Sequence, residues 1–400
     1  MSAPLGGIRV LDLTNVIAGP LCSYNLAMMG ADVIKIEVPG AGDHARKMGA
    51  DTTLNGQLMG ASFLAINAGK RSMTLDLKSE EGKALFFRLL RTADVVLENF
   101  RPGTMVRLGL DDQTLRAIKP DLIYCSVSGF GQEGPLATRA SYDQIIQGFC
   151  GLMSLTGAPG TPPNRAGYVV CDSTAAILAA FAIAAALVRR QRTGEGETID
   201  VSMVDSSLAT MAAWVVSNYV NAARTPTPTG NDSHSAAPSG TFRTRDGALN
   251  IVNNEQKQFE ALCSAIAMPQ LLADSRFTTR EARMQNRDEL RAVLERRLGE
   301  DDSANWERKL AAHNVPVGPI LSVPEVIEHP QVAARALMQE IHVPHLEKTV
   351  RVARPGFHLG HAPVPITSPP PVLGEHTEEI LAELGYDVQA LERLRRGGIV

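Results

Sequence analysis

The sequence predicts an α/β protein, a parallel sheet with helices on both faces followed by a smaller domain. Three observations predict it. Strand-like apolar runs alternate with helical stretches from Ile8 to Met203, the pattern of a parallel sheet built from crossover units. Composition then shifts at Thr225–Gly240, which holds three prolines and two glycines among small polar residues and reads as a linker. The chain has 400 residues, more than one core usually holds.

Each element has its own signal. Ile8–Thr14 (IRVLDLT) is a buried strand, Gly19–Gly30 a helix ending at glycine, and Asp32–Glu37 (DVIKIE) the next strand, one βαβ unit. The alternation continues with helix Glu80–Thr92, strand Asp94–Glu98, helix Asp111–Ile118 and strand Leu122–Ser128. A long Ala-rich helix, Ser173–Gln191, stops at Arg192-Thr193-Gly194 with basic residues in its last turn. Strand Thr198–Met203 and helix Asp205–Ala222 follow. Beyond the linker lie a strand pair around Thr241–Asn253 and helices near Gln256–Ala267, Arg287–Leu298 and Ala304–His313. The last part carries a Pro-rich run, Pro363–Pro371, and a helix near Glu378–Leu384. The expected organisation is a large domain over 1–223, linker and small α+β domain over 224–330, and a C-terminal return to the large domain over 331–400.

Composition narrows the function. Apolar residues make up 44% and charged residues 20%, ordinary globular usage, and the net charge of −4 points to no nucleic-acid partner. Five cysteines, Cys22, Cys125, Cys150, Cys171 and Cys263, form no C-x-x-C pair, which argues against a disulfide framework or structural zinc and suits a reducing, cytoplasmic setting. No secretion signal is visible. The longest apolar stretch, Thr174–Val188, falls short of the ~20 residues that span a bilayer, so no membrane partner is expected. The nine histidines form no H-x-x-H or H-E-x-x-H cluster, so no metal site is expected. G-x-S-x-G and Walker A sequences are absent. The first strand leads into Asn15-Val16-Ile17-Ala18-Gly19-Pro20 rather than G-x-G-x-x-G, so Glu37 is a poor signal for a nicotinamide ribose.

Several segments have a chemical reading beside a structural one. Asp172, in Gly167-Tyr168-Val169-Val170-Cys171-Asp172-Ser173, meets the start of the Ala-rich helix. It reads as an N-cap, or as a carboxylate kept ionised by the helix terminus and able to attack a thioester. Asn99, Phe100, Arg101 and Arg107 follow a strand end, where ligands bind in parallel sheets; the asparagine suits hydrogen bonding, the phenyl ring stacking and the arginines phosphates. The alternative is a solvated loop. Gly69–Lys78 is a basic segment leading into a strand, either a solvated face or a lip for nucleotide phosphates. Tyr142 and Asp143 follow a glycine-rich turn and suit a helix start with the ring packed beneath it.

Together and in this order, "GIRVLDLTNVIAGP", "GADVIKIEVPGAGD", "KRSMTLDLKSEEGK", "ADVVLENFRPGTMVRLGL", "YCSVSGFGQEGP", "YDQIIQGFCGLMSLTG", "RTGEGETIDVSM", "NVPVGPI" and "PPPVLGEHTEEIL" resemble the class III CoA-transferase family, the CaiB/BaiF type that includes formyl-CoA and carnitine CoA-transferases. The likeness spans nearly the whole chain. It implies a Rossmann-like large domain in an interlocked homodimer, each chain a ring threaded by its partner. It implies CoA and acyl-CoA as substrates, with no permanently bound cofactor. Asp172 matches the acyl-accepting aspartate. Ile17 and Ala18 match the loop at the CoA thiol end. Leu75, Lys78, Asn99, Phe100, Arg101 and Arg107 match CoA-contacting positions, and Ala140 and Tyr142 the segment beside the pantetheine. Many relatives carry Arg where this chain has Val38. Formyl-CoA transferase carries Gln where this chain has Ile17 and glycines where it has Gly230–His234, which argues against oxalate as acceptor. Asn231 and His234 resemble substrate-side positions of members that use succinyl-CoA or other dicarboxylic acids. The implied reaction moves CoA through an aspartyl intermediate, with backbone amides near Ile17–Ala18 or Gly230–His234 facing the developing oxyanion.

Two rivals share the resemblance. A 2-methylacyl-CoA racemase needs two proton-transfer groups, but this chain has Ser141-Tyr142-Asp143 where racemases have Gly-His-Asp, and a phenol is a poor base at neutral pH. A non-catalytic CoA-binding protein has no use for Asp172.

Overall fold

The computed structural model describes residues 3–400. The chain forms two compact units: one from the chain up to Leu152, Arg165–Arg224 and Pro330–Val400, the other from Met153–Asn164 and Thr225–His329.

The first unit is built on six strands: β1 Arg9–Asp12, β2 Asp32–Glu37, β3 Arg71–Thr74, β4 Val95–Glu98, β5 Ile123–Ser128 and β6 Glu197–Ser202. Their order is β3-β2-β1-β4-β5-β6, and every pairing is parallel. The strands are short apolar runs because both faces are covered. Alternate residues serve opposite cores. Val10, Val33, Val95, Leu97, Ile123 and Cys125 pack under helices Ala18–Met28 and Val170–Thr193. Leu11, Ile34, Val96 and Tyr124 pack on the other face under helices Glu80–Leu90 and Asp112–Ile118. Caps set the starts of the last two helices: the Ser79 side chain accepts from the Gly82 amide and Asp111 from the Thr114 amide.

The segment from Pro330 folds back on this sheet. His376 donates its amide to Ser72 O at 2.9 Å, and the Thr74 amide donates to Thr377 Oγ1 at 3.1 Å, so β3 is covered along its outer side. Ile380, Leu381, Leu391 and Leu394 join the core below. A hairpin, Met338–Val343 with Lys348–Ala353, is held to the first helix by the Tyr24 hydroxyl donating to Ala353 O at 2.7 Å.

Helix Val170–Thr193 starts earlier than the sequence suggests and has 24 residues; by length and composition alone it could cross a membrane. Its inner face (Cys171, Ala175, Ala179, Ile183, Ala186) packs in the sheet's core, so its apolar character is partly spent on packing. The helix expected over Asp205–Ala222 is interrupted. Met203–Met211 is α-helical, Ala212–Val216 widens to a π-helical turn, and Ser217–Ala222 resumes.

The second unit is α+β. Strands Ser239–Arg243, Ala248–Val252 and Val317–Pro319 form an antiparallel sheet, and helices Gln256–Ala265, Arg287–Leu298 and Ser303–Ala312 cover it. Phe242, Ile251, Phe259, Leu294 and Trp306 form its core. Trp306 also donates its indole N–H to Leu298 O at 2.7 Å.

Candidate active site

In the first unit, strand order reverses between β1 and β4, and such a reversal leaves a crevice outside the carboxyl ends of the strands. A cavity of about 530 Å³ lies there. Its walls come from the loops after β1 (Asn15–Ala18), β4 (Asn99–Pro102) and β5 (Ser128, Gly129), from Ala137–Tyr142, and from Asp172. Exposed Lys47, Arg101 and Arg139 stand on its lining.

Asp172 is in the first turn of helix Val170–Thr193 and does not cap it. The cap is Asp143, buried at the start of helix Asp143–Phe149, whose Oδ1 accepts from the amides of Cys171 at 2.8 Å and Asp172 at 3.3 Å. With Asp143 satisfying the helix start, the Asp172 carboxylate is left to face the cavity. Burial, and then the negative charge of Asp143, push its carboxyl up to about 7. This corrects the expectation that the helix terminus holds it ionised: the dipole is worth roughly 0.3–1 kcal/mol, less than the desolvation it opposes.

The loop after β1 is pinned on all sides. Asn99 clamps Asn15, accepting its amide proton and donating to its carbonyl, both at 2.8 Å. Lys35 donates to Thr14 O at 2.8 Å, and the Val16 amide donates to Asp43 Oδ1 at 2.9 Å. Val16 has φ +71°, a left-handed conformation that a β-branched residue rarely adopts. Gly19 must be glycine, since a Cβ there would lie 2.3 Å from Thr14 Cβ.

The structure brings together most of the residues chosen from sequence. Ile17, Ala18, Asn99, Phe100, Arg101, Ala140, Tyr142, Asp172 and the uncharged Val38 all line the cavity. Asn99 does so with its amide engaged by Asn15, so it fixes a loop. Tyr142 is 74% exposed, not packed beneath its helix. Leu75, Lys78 and Arg107 are not on the lining. The Leu75 side chain is 1% exposed in the core under the C-terminal return, Lys78 is an exposed loop residue, and Arg107 donates to Thr104 Oγ1 at 2.8 Å on the surface. Asn231 and His234 are exposed residues of the second unit. Glu37 is no ribose acid: both its oxygens accept from Arg46, at 2.6 and 2.7 Å.

Sequence reasoning missed Asp43, Lys35, Ser128 and the capping role of Asp143. The Ser128 hydroxyl is buried in the cavity wall with no hydrogen-bond partner among the described residues. Asp43 does carry a local signal, an Asp placed to cap the turn His44–Lys47, and its side chain accepts from the Ala45 amide. Among the described residues no group of three or more His, Cys, Asp or Glu is placed to hold a metal ion.

Comparison with known proteins agrees with this architecture. The model of "CoA-transferase family III" matches residues 5–377. The succinate–glutarate CoA-transferase of Agrobacterium fabrum is 39% identical over 389 residues, 95% of this chain and 96% of that one. The acetyl-CoA:oxalate CoA-transferase of Acetobacter aceti is 41% identical over 340 residues, 84% of this chain and 85% of its own. A crystal structure of a CaiB/BaiF family protein from Brucella suis superposes with a TM-score of 0.83 at 37% identity, covering 96% of this chain and all of that one. With the family matched along almost its whole length and the same fold in a relative, the chain belongs to CoA-transferase family III, and it is a class III CoA-transferase.

Proposed function

We propose that the protein moves CoA from a succinyl-CoA-like donor to a free dicarboxylate, with Asp172 as the covalent nucleophile. The observation that carries this is a half-buried carboxylate, free of the capping role, in the wall of the switch-point cavity. Relatives named for glutarate and for oxalate support a dicarboxylate.

An Asp172 oxygen attacks the thioester carbonyl, the C–S bond breaks, and an aspartyl anhydride and CoA thiolate form. The thiolate attacks Asp172 Cγ, releases the donor as its carboxylate and leaves an aspartyl-CoA thioester. The acceptor carboxylate attacks that thioester, and the thiolate takes the new acyl group, restoring Asp172. One thioester replaces another, so the reaction needs no external energy source. The amides of Ile17 and Ala18, in a helix start that has no intrahelical acceptors for them, are donors for the carbonyl oxygen as charge develops. Arg101, Arg139 and Lys47 supply charge for the CoA phosphates. Phe100 and Tyr142 supply rings for the nucleotide and pantetheine.

Since Asp172 attacks only when ionised and its carboxyl is raised to about 7, kcat/KM for the donor rises with pH and levels off above 7, falling about tenfold per unit below it. Asp143→Asn moves the midpoint to lower pH by removing the second cause; an unmoved midpoint in a pH–rate profile contradicts the assignment.

The interlocked homodimer and cytoplasmic location belong to the same proposal. Ile177, Phe181 and Val188 expose one apolar stripe on the long helix, 60%, 70% and 48% accessible, a face a second copy would cover. All five cysteines are unpaired thiols.

The deciding experiment traps the intermediate. Enzyme incubated with succinyl-CoA and quenched with hydroxylamine yields a hydroxamate on the Asp172 peptide by mass spectrometry. Modification elsewhere, or none during measurable succinyl-CoA:glutarate exchange, overturns the proposal.

A further inference from the structure

The cavity wall nearest the start of helix Ala18–Met28 rests on a charged device that the reaction as described does not use. Asp12, Lys35, Asp43 and Lys70 are all buried, with side chains 0% accessible. Lys35 Nζ lies 2.8 Å from Asp43 Oδ2 and donates to Thr14 O at 2.8 Å. Asp12 takes Lys70 at 3.2 Å, and its other oxygen accepts the Thr14 amide at 2.9 Å. The remaining oxygen of Asp43, Oδ1, accepts two amides, Val16 at 2.9 Å and Ala45 at 2.8 Å. Burial alone would push the Asp43 carboxyl up, but Lys35 and these amides hold it below the ordinary carboxylate range, so it stays an anion.

This wiring converges on one strained residue. Val16 sits at φ +71°, a conformation that strains a β-branched residue and persists only where surroundings enforce it. Upstream, Asn15 is fixed at both backbone groups by Asn99. Downstream come Ile17, at the cap position, and Ala18, the first residue of the helix, both part of the cavity lining that also holds Asp172 and the Ser128 hydroxyl, which has no partner among the described residues. Releasing the Val16 amide would let the backbone relax to negative φ and turn the following amides away.

We propose that Asp43 is a positioning residue for CoA transfer: paired with Lys35, it holds Val16 left-handed so that the Ile17 and Ala18 amides face the acyl oxygen. The proposal rests on the assignment of Asp172 as nucleophile. Its chemistry is that of a fixed anion acting through the backbone; it touches no substrate atom.

The test is a conformational rescue. Asp43→Asn keeps the size but not the charge opposite Lys35. Its kcat for succinyl-CoA:glutarate exchange should fall on the order of 10²-fold, with KM for the CoA thioester within about threefold of wild type. Adding Val16→Gly, which takes the left-handed conformation without being held, should return roughly tenfold of the lost kcat. Rescue is the readout a purely structural role would not give. Unchanged kcat in Asp43→Asn, or a loss that Val16→Gly leaves untouched, overturns the proposal. If Asp43→Asn does not fold, Asp43→Glu decides, because it keeps the charge but displaces the acceptor: lowered kcat at constant KM supports the role, and any other pattern overturns it. Wild-type Asp172 trapping runs in parallel. A wild-type adduct with a fully active Asp43→Asn sinks only the positioning role, whereas no wild-type adduct sinks the nucleophile itself.

Discussion

Asp172→Asn abolishes CoA exchange, with kcat down on the order of 10⁴–10⁶-fold, while the CoA thioester still binds within a few-fold of wild type. The loss is that large because an amide oxygen cannot form the anhydride and, among the described residues, no other carboxylate lines the cavity. Binding survives because Arg101, Arg139 and the loop after β1 are untouched. The same variant should be the more stable protein at high pH. The folded carboxyl, raised to about 7 from an ordinary 3.8, favours the protonated form. Its contribution to stability is present below 3.8 and is lost as pH rises through 7, a cost of at most about 4 kcal/mol once the group is ionised. Asparagine carries no such cost. Thermal melts should therefore place Asp172→Asn above wild type at pH 8, with the gap closing near pH 4. Exchange measured isotopically at wild-type rates, or a gap that widens in acid, contradicts the role given to this side chain.

The second large effect is on the fold. Arg46→Met destabilises the protein by roughly 3–5 kcal/mol, read as a shift in the urea midpoint. Arg46 is fully buried; besides its two bonds to Glu37 it donates to Leu58 O at 3.1 Å and Pro371 O at 3.2 Å, and its guanidinium lies 3.7 Å from the centre of the Phe63 ring. Removing it strands the Glu37 carboxylate in the interior. The double variant Glu37→Gln/Arg46→Met should lose less than the sum of the single losses, because the stranded charge is then gone too. Full additivity would show that the two side chains do not act as a pair.

The sheet was legible in sequence because both its faces are buried. Runs such as DVIKIE and DVVLEN have no solvent face to interrupt them, and glycines punctuate the helix ends. The structural reading of Asp172 as a helix cap does not hold, since that role falls to another residue. The true cap, Asp143, lies 29 residues away in sequence and meets it only in the folded chain. The same distance hid the buried charges. Lys35 sits inside the run DVIKIE, and its partners, Thr14 O and the Asp43 carboxylate, come from other segments. Leu75 and Lys78 lie off the cavity lining, where the C-terminal return covers one and solvent takes the other.

That return has a consequence for how the chain is made. β3 is the border of the parallel sheet, and an uncovered border offers its peptide groups to any passing strand. Here Ser72 and Thr74 are claimed by His376 and Thr377, the latter 303 residues after Thr74. A nascent chain therefore carries a sticky margin until that segment has been made, and the return that seals it doubles as a guard against aggregation.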